Sequence, residues 1–482
     1  MTASAVEPAV IEELAGVVGP AHVLSDPEVT AGYTLDWTRR FAGSTPLVIR
    51  PGDTAETAAV LGVLAAARIP VVPQGGNTGL VGGSVPLAGE AVLSTRRLRS
   101  CEPVDELASQ VTLGAGVTLA EAQAHAAGAG LSVGVDLAAR DSATIGGMVA
   151  TNAGGINVVR YGSMRAQVAG IEAVLADGSV VSHMAGLEKD NTGYDLEGLL
   201  AGSEGTLGII TRVRLRLHPV LSERATALLA FDTAADAVVA AAALRRTVAS
   251  LRALEAVFCD AMTLVSQHLG VNPPVGTVST GSASDGGLNA LTPRTPGADG
   301  GAAWLVVEAA ARADPSDELA TAVADLGDLV TDAAVALDPG ARQRLWAFRE
   351  HVTEAISAAG IPHKLDVTLP AARLAEFTDG VTAVVRAADP HALPLLFGHL
   401  GDGNVHVNVL GPDGAEPAAG VDDAVLRYVA DLGGSISAEH GIGTAKLAQL
   451  HLNRSEAELA AFAAIKRALD PAGLLNPNVL LP

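Results

Sequence analysis

The sequence predicts an α+β protein of two or three folding units, and three observations carry that expectation. Its 482 residues exceed the roughly 100–200 of one domain. Over the first 220 residues, apolar runs ended by turn residues alternate with helix-capping signals. Past Pro219 the texture changes to Ala-rich helices mixed with short strands.

The elements follow in order. Residues 9–18 form a short amphipathic helix, and Leu47-Val48-Ile49 a strand stopped by Pro51-Gly52. Asp53 or Thr54 caps a helix over 55–68, and Ile69 to Pro73 is the next strand. Thr118 with Glu121 makes a capping box, as does Ser455 with Glu458. Asp177-Gly178 between I-E-A-V-L-A and S-V-V-S marks a hairpin. In residues 209–219 Val213, Leu215 and Leu217 face one way and Arg212, Arg214 and Arg216 the other, a half-buried strand. The Gly/Ser/Pro stretch at roughly 273–301 is expected to be a flexible surface loop.

Composition narrows the function. An apolar content of 49% excludes general disorder, and a formal charge of -22 excludes a nucleic-acid partner, which needs Lys and Arg against phosphate. Cys101 and Cys259 are too few for a disulfide framework, and M-T-A-S-A-V-E-P lacks signal-peptide features. No run of 18 uncharged apolar residues spans a membrane, so a cytoplasmic location is expected.

Glycine clusters occupy residues 74–84, 144–155 and 202–208. Such loops let backbone N–H groups approach a phosphate. The first is no dinucleotide fingerprint, because Gln74 stands where the leading glycine belongs. Three loops within 140 residues suggest a cradle around one extended ligand; ordinary turns are the alternative.

P-Q-G-G-N-T-G-L-V-G-G-S, A-T-I-G-G-M-V-A-T-N-A-G-G, and K-D-N-T-G-Y-D with G-S-E-G-T-L-G-I-I-T resemble the flavin segments of the vanillyl-alcohol-oxidase (PCMH-type) FAD family, nearest its D-2-hydroxyacid dehydrogenases. The resemblance runs from about residue 44 to the end. It implies an FAD domain over 1–219 (core about 44–219), an inserted α+β substrate (cap) domain over 220–438, and a return segment at 439–482. It implies FAD held by Pro73, Gly75, Gly76, Asn77, Thr78, Gly79, Gly82, Gly83 and Ser84, with the diphosphate on this loop's N–H groups. Further FAD contacts are implied at Asp136, Thr144, Gly146, Gly147, Thr151, Asn152, Gly154 and Gly155, then at Glu204, Gly205, Gly208, Ile209 and Asn476. Lys189 and Asp195 would only shape the pocket. Asn77 stands where covalent members carry His or Cys, so non-covalent FAD is expected.

The segment F-G-H-L-G-D-G-N-V-H-V-N-V, residues 397–409, carries the metal expectation. A turn at Asp402-Gly403 between strands 395–399 and 405–409 would set His399 directly opposite His406, with Cβ atoms about 4.5–5.5 Å apart. Asn408 follows on that face. Two imidazoles so placed can share one metal ion, although facing strand histidines are more often a packed or solvated pair. Glu439, in S-A-E-H-G-I-G-T-A-K, would complete a two-His, one-carboxylate set with open positions, suited to Zn, Mn, Fe or Co. The resemblance implies that His399, His406 and Glu439 hold one divalent metal, taken as zinc, and that Asn408 and His440 contact substrate.

A 2-hydroxy acid needs local positive charge in so acidic a chain. Arg349 and Thr353, four apart, would share a helix face in W-A-F-R-E-H-V-T, with Lys364 on the following strand. Composition alone favours a surface ion pair and a solvated lysine; the resemblance implies that Arg349, Thr353 and Lys364 bind substrate. A second cation suits a dicarboxylate such as D-2-hydroxyglutarate. The expected reaction oxidises the 2-hydroxyl, with His440 as general base and hydride passing to flavin N5. The resemblance implies an electron-transfer flavoprotein or a quinone as acceptor, and leaves room for a homodimer. Alternatives are a D-lactate dehydrogenase, a glycolate oxidase flavin subunit, or an electron-transfer flavin component without its own substrate.

Overall fold

The computed structural model describes residues 6–276 and 302–481. The expected loop at 273–301 therefore lies, from residue 277 onward, outside the described residues. The chain is α+β and divides into two compact units. One comprises Met1–Gly155, Tyr161–Val220 and Glu439–Pro482; the other comprises Ile156–Arg160 and Leu221–Ala438. Among the described residues, no helix is long and apolar enough to cross a membrane.

The first unit holds two sheets. Strands Val23–Leu24, Val48–Ile49, Ala91–Ser94 and Val71–Gln74 lie in that order, and the last three are parallel. Helix Thr54–Ala66 makes the crossover, its N-terminus capped by Asp53, which accepts the Glu56 N–H at 2.8 Å. Its buried Val60, Leu61 and Leu64 pack with Leu47, Ile49 and Leu93. The parallel arrangement leaves the C-terminal end of Val71–Gln74 opening into the first glycine loop.

The second sheet orders Gln110–Gly114, Ile209–Pro219, Val168–Val174 and Val180–His183, with Leu131–Val133 also on Ile209–Pro219. The long strand alternates as expected: Val213, Leu215 and Leu217 are buried, and the three arginines between are half-buried. The Asp177-Gly178 turn closes with Leu175 N–H on Ser179 O at 2.9 Å. Both expected capping boxes form. Leu474 and Asn476 extend the parallel sheet by exchanging hydrogen bonds with Val71 at 2.8 and 2.7 Å.

The second unit is built on one seven-stranded antiparallel sheet. Its order is Asp332–Ala336, Glu223–Phe231, Ala303–Ala311, Leu251–Phe258, Leu393–Gly398, Asn404–Leu410 and His363–Thr368. One face carries Val257, Trp304, Val306, Leu395 and Phe397, packed with Met262, Trp346 and Phe348 from the helices.

Two expectations are corrected here. In the histidine hairpin His406 opposes Phe397, and His399 lies beyond the strand end. Residues 399–403 form the connection, closed by Asp402 and Asn404 N–H on His399 O, both at 3.2 Å. Two further bonds draw that loop onto its neighbours: Gly401 N–H donates to Leu254 O at 3.2 Å and Arg245 Nη1 to Gly401 O at 2.8 Å. A two-residue turn could not reach them, so the register shifts by two. The shift preserves the face, since side chains alternate with period two.

Arg349 and Thr353 do not share one helix. Helix Pro339–Glu350 ends at His351, and a second runs Val352–Ala359. Ala347 O receives the His351 N–H at 3.1 Å and faces the same residue's Nδ1 at 3.0 Å, so backbone and side chain converge on one acceptor.

Candidate active site

The first unit gathers all three glycine loops. A Cβ on Gly76 would lie 2.0 Å from Ser142 O, and one on Gly205 2.3 Å from the Pro73 ring, so only glycine allows these approaches. The third loop hangs on the helix Ile145–Thr151 through Gly202 N–H on Val149 O (2.9 Å) and Glu204 N–H on Ala150 O (2.8 Å). Asn476 Nδ2 ties the return segment to both ends, donating to Gly83 O at 2.8 Å and Glu204 O at 2.7 Å.

This cradle fits a bound diphosphate-containing cofactor. Between Gly76 and Gly83 no backbone N–H donates to a described residue. Such a row of uncommitted amides, half-buried for most of its length, is open to an anionic acceptor. The buried Thr144 Oγ1 and Ser203 Oγ, one in each other loop, also have no partner among the described residues. Those two hydroxyls and the amides would hold FAD.

Several other expected cofactor residues are committed to the protein. Asn77 bonds Leu35 O (2.9 Å) and Ser84 Oγ (2.8 Å). Asp136 accepts from Gln123 (3.1 Å) and Arg140 (3.2 Å), and Asn152 Oδ1 from Ser163 Oγ (2.9 Å) and Arg165 N–H (2.8 Å). Thr151 Oγ1 bonds Gly147 O at 3.1 Å. Glu204 turns its carboxylate to the return segment, accepting Ile442 N–H at 2.8 Å and Gly443 N–H at 2.7 Å. Burial pushes that carboxyl above its ordinary range, and the two amide donors only partly oppose it. Gly154 and Gly208 are buried in the loops, Ile209 opens the long strand, and Gly79 stands open. Lys189 is exposed, and Asp195 caps helix Leu196–Leu200.

The second unit holds the histidine pair. His399 and His406 are both buried, with ring centroids 5.2 Å apart, edge to face. The rings meet diagonally. Each is backed by a buried carboxylate: His399 Nδ1 lies 2.7 Å from Glu255 Oε1, and His406 Nδ1 lies 3.3 Å from Asp366 Oδ1. Asp366 also accepts Asn404 Nδ2 at 2.7 Å. An imidazole whose Nδ1 is held by a carboxylate presents Nε2 as a metal ligand, and the carboxylate raises its basicity. The donor chemistry fits a divalent metal.

Glu255 is fully buried, and its second oxygen accepts Arg349 Nε at 2.9 Å. Burial raises its carboxyl, but His399 and then Arg349 outweigh that and hold it below the ordinary range. The Arg349 guanidinium also lies 4.8 Å over the Phe397 ring. Lys364 and Asn408 face each other across adjacent strands, two pairs along from Asp366 and His406 and on the same face. Thr353 is exposed. Ala438, the last residue of this unit, donates its N–H to Asp366 O (3.3 Å) and Oδ2 (3.2 Å), and the next two residues of the chain are Glu439 and His440, both half-buried.

Sequence reasoning missed Glu255 and Asp366. The available signal was a lone acid inside each apolar strand, L-R-A-L-E-A-V-F and H-K-L-D-V-T. A charge in a core strand needs a partner.

Comparison with known proteins is consistent throughout. An FAD binding domain model matches residues 45–183, and the C-terminal domain of FAD linked oxidases matches 220–480. D-2-hydroxyglutarate dehydrogenase of Bos taurus mitochondria is 36% identical over 471 residues, covering 96% of this chain and 82% of the relative. The enzyme of that name from Xanthomonas citri pv. viticola is 35% identical over 469 residues, covering 95% and 93%. The structure of p-cresol methylhydroxylase superposes with a TM-score of 0.75 at 16% identity, over 98% of this chain and 96% of that one, a likeness of fold. An amide-rich cradle, a backed histidine pair and these relatives converge: the chain belongs to the PCMH-type FAD family, among its D-2-hydroxyacid dehydrogenases, and is an FAD-dependent oxidoreductase acting on a CH–OH donor.

Proposed function

We propose that the enzyme oxidises a D-2-hydroxy acid, with D-2-hydroxyglutarate going to 2-oxoglutarate, and that it works with one divalent metal, zinc, held by His399, His406 and Glu439. The observation that carries this reading is the pair of imidazoles each with a buried carboxylate beside its Nδ1, at 2.7 Å for His399 and 3.3 Å for His406, next to an arginine steadied by one of the same carboxylates. The names of the relatives support the substrate.

When bound, the metal supplies Lewis acidity that lowers the pKa of the substrate hydroxyl, and FAD accepts the 2-hydrogen with its electron pair. Arg349 has Nε committed to Glu255, so its Nη1–Nη2 edge is the fork for a carboxylate. Lys364 adds a point charge for the distal carboxylate of a diacid, and Asn408 and Thr353 orient the rest. His440 removes the hydroxyl proton. Electrons leave to an electron-transfer flavoprotein or quinone.

The test is anaerobic flavin bleaching against a panel of D- and L-2-hydroxy acids, with metal content measured on the same sample before and after chelation. The expected outcome is a large kcat/KM preference for D-2-hydroxyglutarate and reversible inactivation by chelator. A preference for D-lactate would move the substrate, and full turnover by metal-free protein would end the metal scheme.

A further inference from the structure

We propose that Glu255 is a positioning residue that couples the metal ligand to the substrate clamp, one carboxylate aligning His399 and Arg349 at once. The inference rests on the reading above and deepens it. Glu255 is on strand Leu251–Phe258, and the pairing of Val257 with Phe397 sets Glu255 on the face that carries Phe397 and His406. It is 144 residues from His399 and 94 from Arg349, so only the folded sheet brings the three together.

The geometry divides the carboxylate between two tasks. Oε1, 2.7 Å from His399 Nδ1, selects the ring form that carries its proton on Nδ1 and turns Nε2 to a metal. Oε2, 2.9 Å from Arg349 Nε, fixes the guanidinium's inner edge, while Phe397 supports its plane from 4.8 Å. An ionised group with 1% side-chain exposure persists only because both partners are charged or polar donors. A shift at either partner is thus transmitted to the other through a single rigid side chain.

Glu255→Gln keeps the shape and replaces one acceptor by a donor. Whichever way the amide turns, it either opposes Arg349 Nε–H or forces His399 into the form that cannot ligate, and the other partner keeps only a neutral acceptor in place of a charged one, so both contacts weaken. Zinc affinity, measured on FAD-loaded protein by competition with a chromogenic chelator, is expected to weaken about 10–100-fold. Binding of 2-oxoglutarate at saturating zinc, read from the flavin absorbance, is expected to weaken about tenfold, the worth of one hydrogen bond. Arg349→Met should weaken the second most and, because the freed carboxylate then turns from His399, the first to a smaller degree, and Glu255→Asp, too short to span both partners, should recover part of only one.

A purely electrostatic role predicts the opposite sign for the anion, because Glu255→Gln removes a negative charge. Tighter 2-oxoglutarate binding, or an unchanged zinc affinity in folded, FAD-replete Glu255→Gln, overturns the coupling. If Glu255→Gln fails to fold, unchanged zinc and 2-oxoglutarate affinities in Glu255→Asp, whose shorter side chain cannot span both partners, overturn it equally. Wild-type protein that binds no zinc overturns the underlying reading and this inference with it.

Discussion

Glu204 makes the sharpest mechanical prediction. Its carboxylate receives Ile442 N–H at 2.8 Å and Gly443 N–H at 2.7 Å, so it clamps the turn that begins at Glu439-His440. Hydrogen bonds to a charged acceptor are worth about 1.5–3 kcal/mol each, and an orphaned buried donor costs about 1–3 kcal/mol. In Glu204→Gln one oxygen becomes an amide NH₂ facing an N–H, so one bond is lost and about 1.5–3 kcal/mol of local stability goes with it. Glu204→Ala loses both, about 3–6 kcal/mol. The turn then loosens two residues from His440, and a misplacement of about 1 Å costs on the order of 100-fold in rate. The assay is the anaerobic bleaching rate in stopped flow, with the FAD-to-protein ratio measured on the same sample. Glu204→Gln should keep its FAD and lose rate. Wild-type bleaching and unchanged denaturant stability would show that the clamp holds nothing. Loss of FAD with an undisturbed turn would make Glu204 a cofactor ligand.

Other perturbations follow from the same geometry. His440→Asn should abolish flavin reduction by substrate while FAD stays bound; an unchanged bleaching rate would remove His440 from proton transfer. Acid precipitation should leave the flavin in the supernatant, because Asn77 offers no linkage; yellow pellets would contradict this. Lys466 donates to Thr206 O, Leu475 O and the buried Asp470, so Lys466→Met should cost about 3–5 kcal/mol, as breaking a buried pair does, and lower FAD retention; an unchanged urea midpoint would refute it. Because the Glu204 carboxyl is raised in the folded state, the native form binds that proton more tightly than the unfolded chain. Its contribution should therefore lower stability as pH rises from the ordinary carboxylate range through the raised value, and Glu204→Gln should flatten that slope in pH-dependent denaturation.

Legibility followed the range of the interaction. The capping boxes at Thr118 and Ser455, the Asp177-Gly178 turn and the alternation around Arg214 involve residues within a few positions, and each formed as expected. The histidine hairpin was legible in face and not in register. Its connection is lengthened by bonds from Gly401 to Leu254 and Arg245, which lie 147 and 156 residues away. The single helix through Arg349 and Thr353 failed because the spacing rule assumes continuity, and His351 interrupts it.

From the chain alone came the inventory: three glycine loops without bulk, two histidines on one face of a hairpin, an Arg and a Lys in an acidic protein. Glycine spacing and strand period are local covalent facts, so they survive without tertiary information. Only the tertiary fold decided which carboxylate backs which imidazole, that Arg349 shares Glu255 with His399, and that Glu204 serves the return segment. Those pairings join residues 94, 144 and 238 positions apart, where no sequence period reaches and burial alone dictates that each charge find a partner.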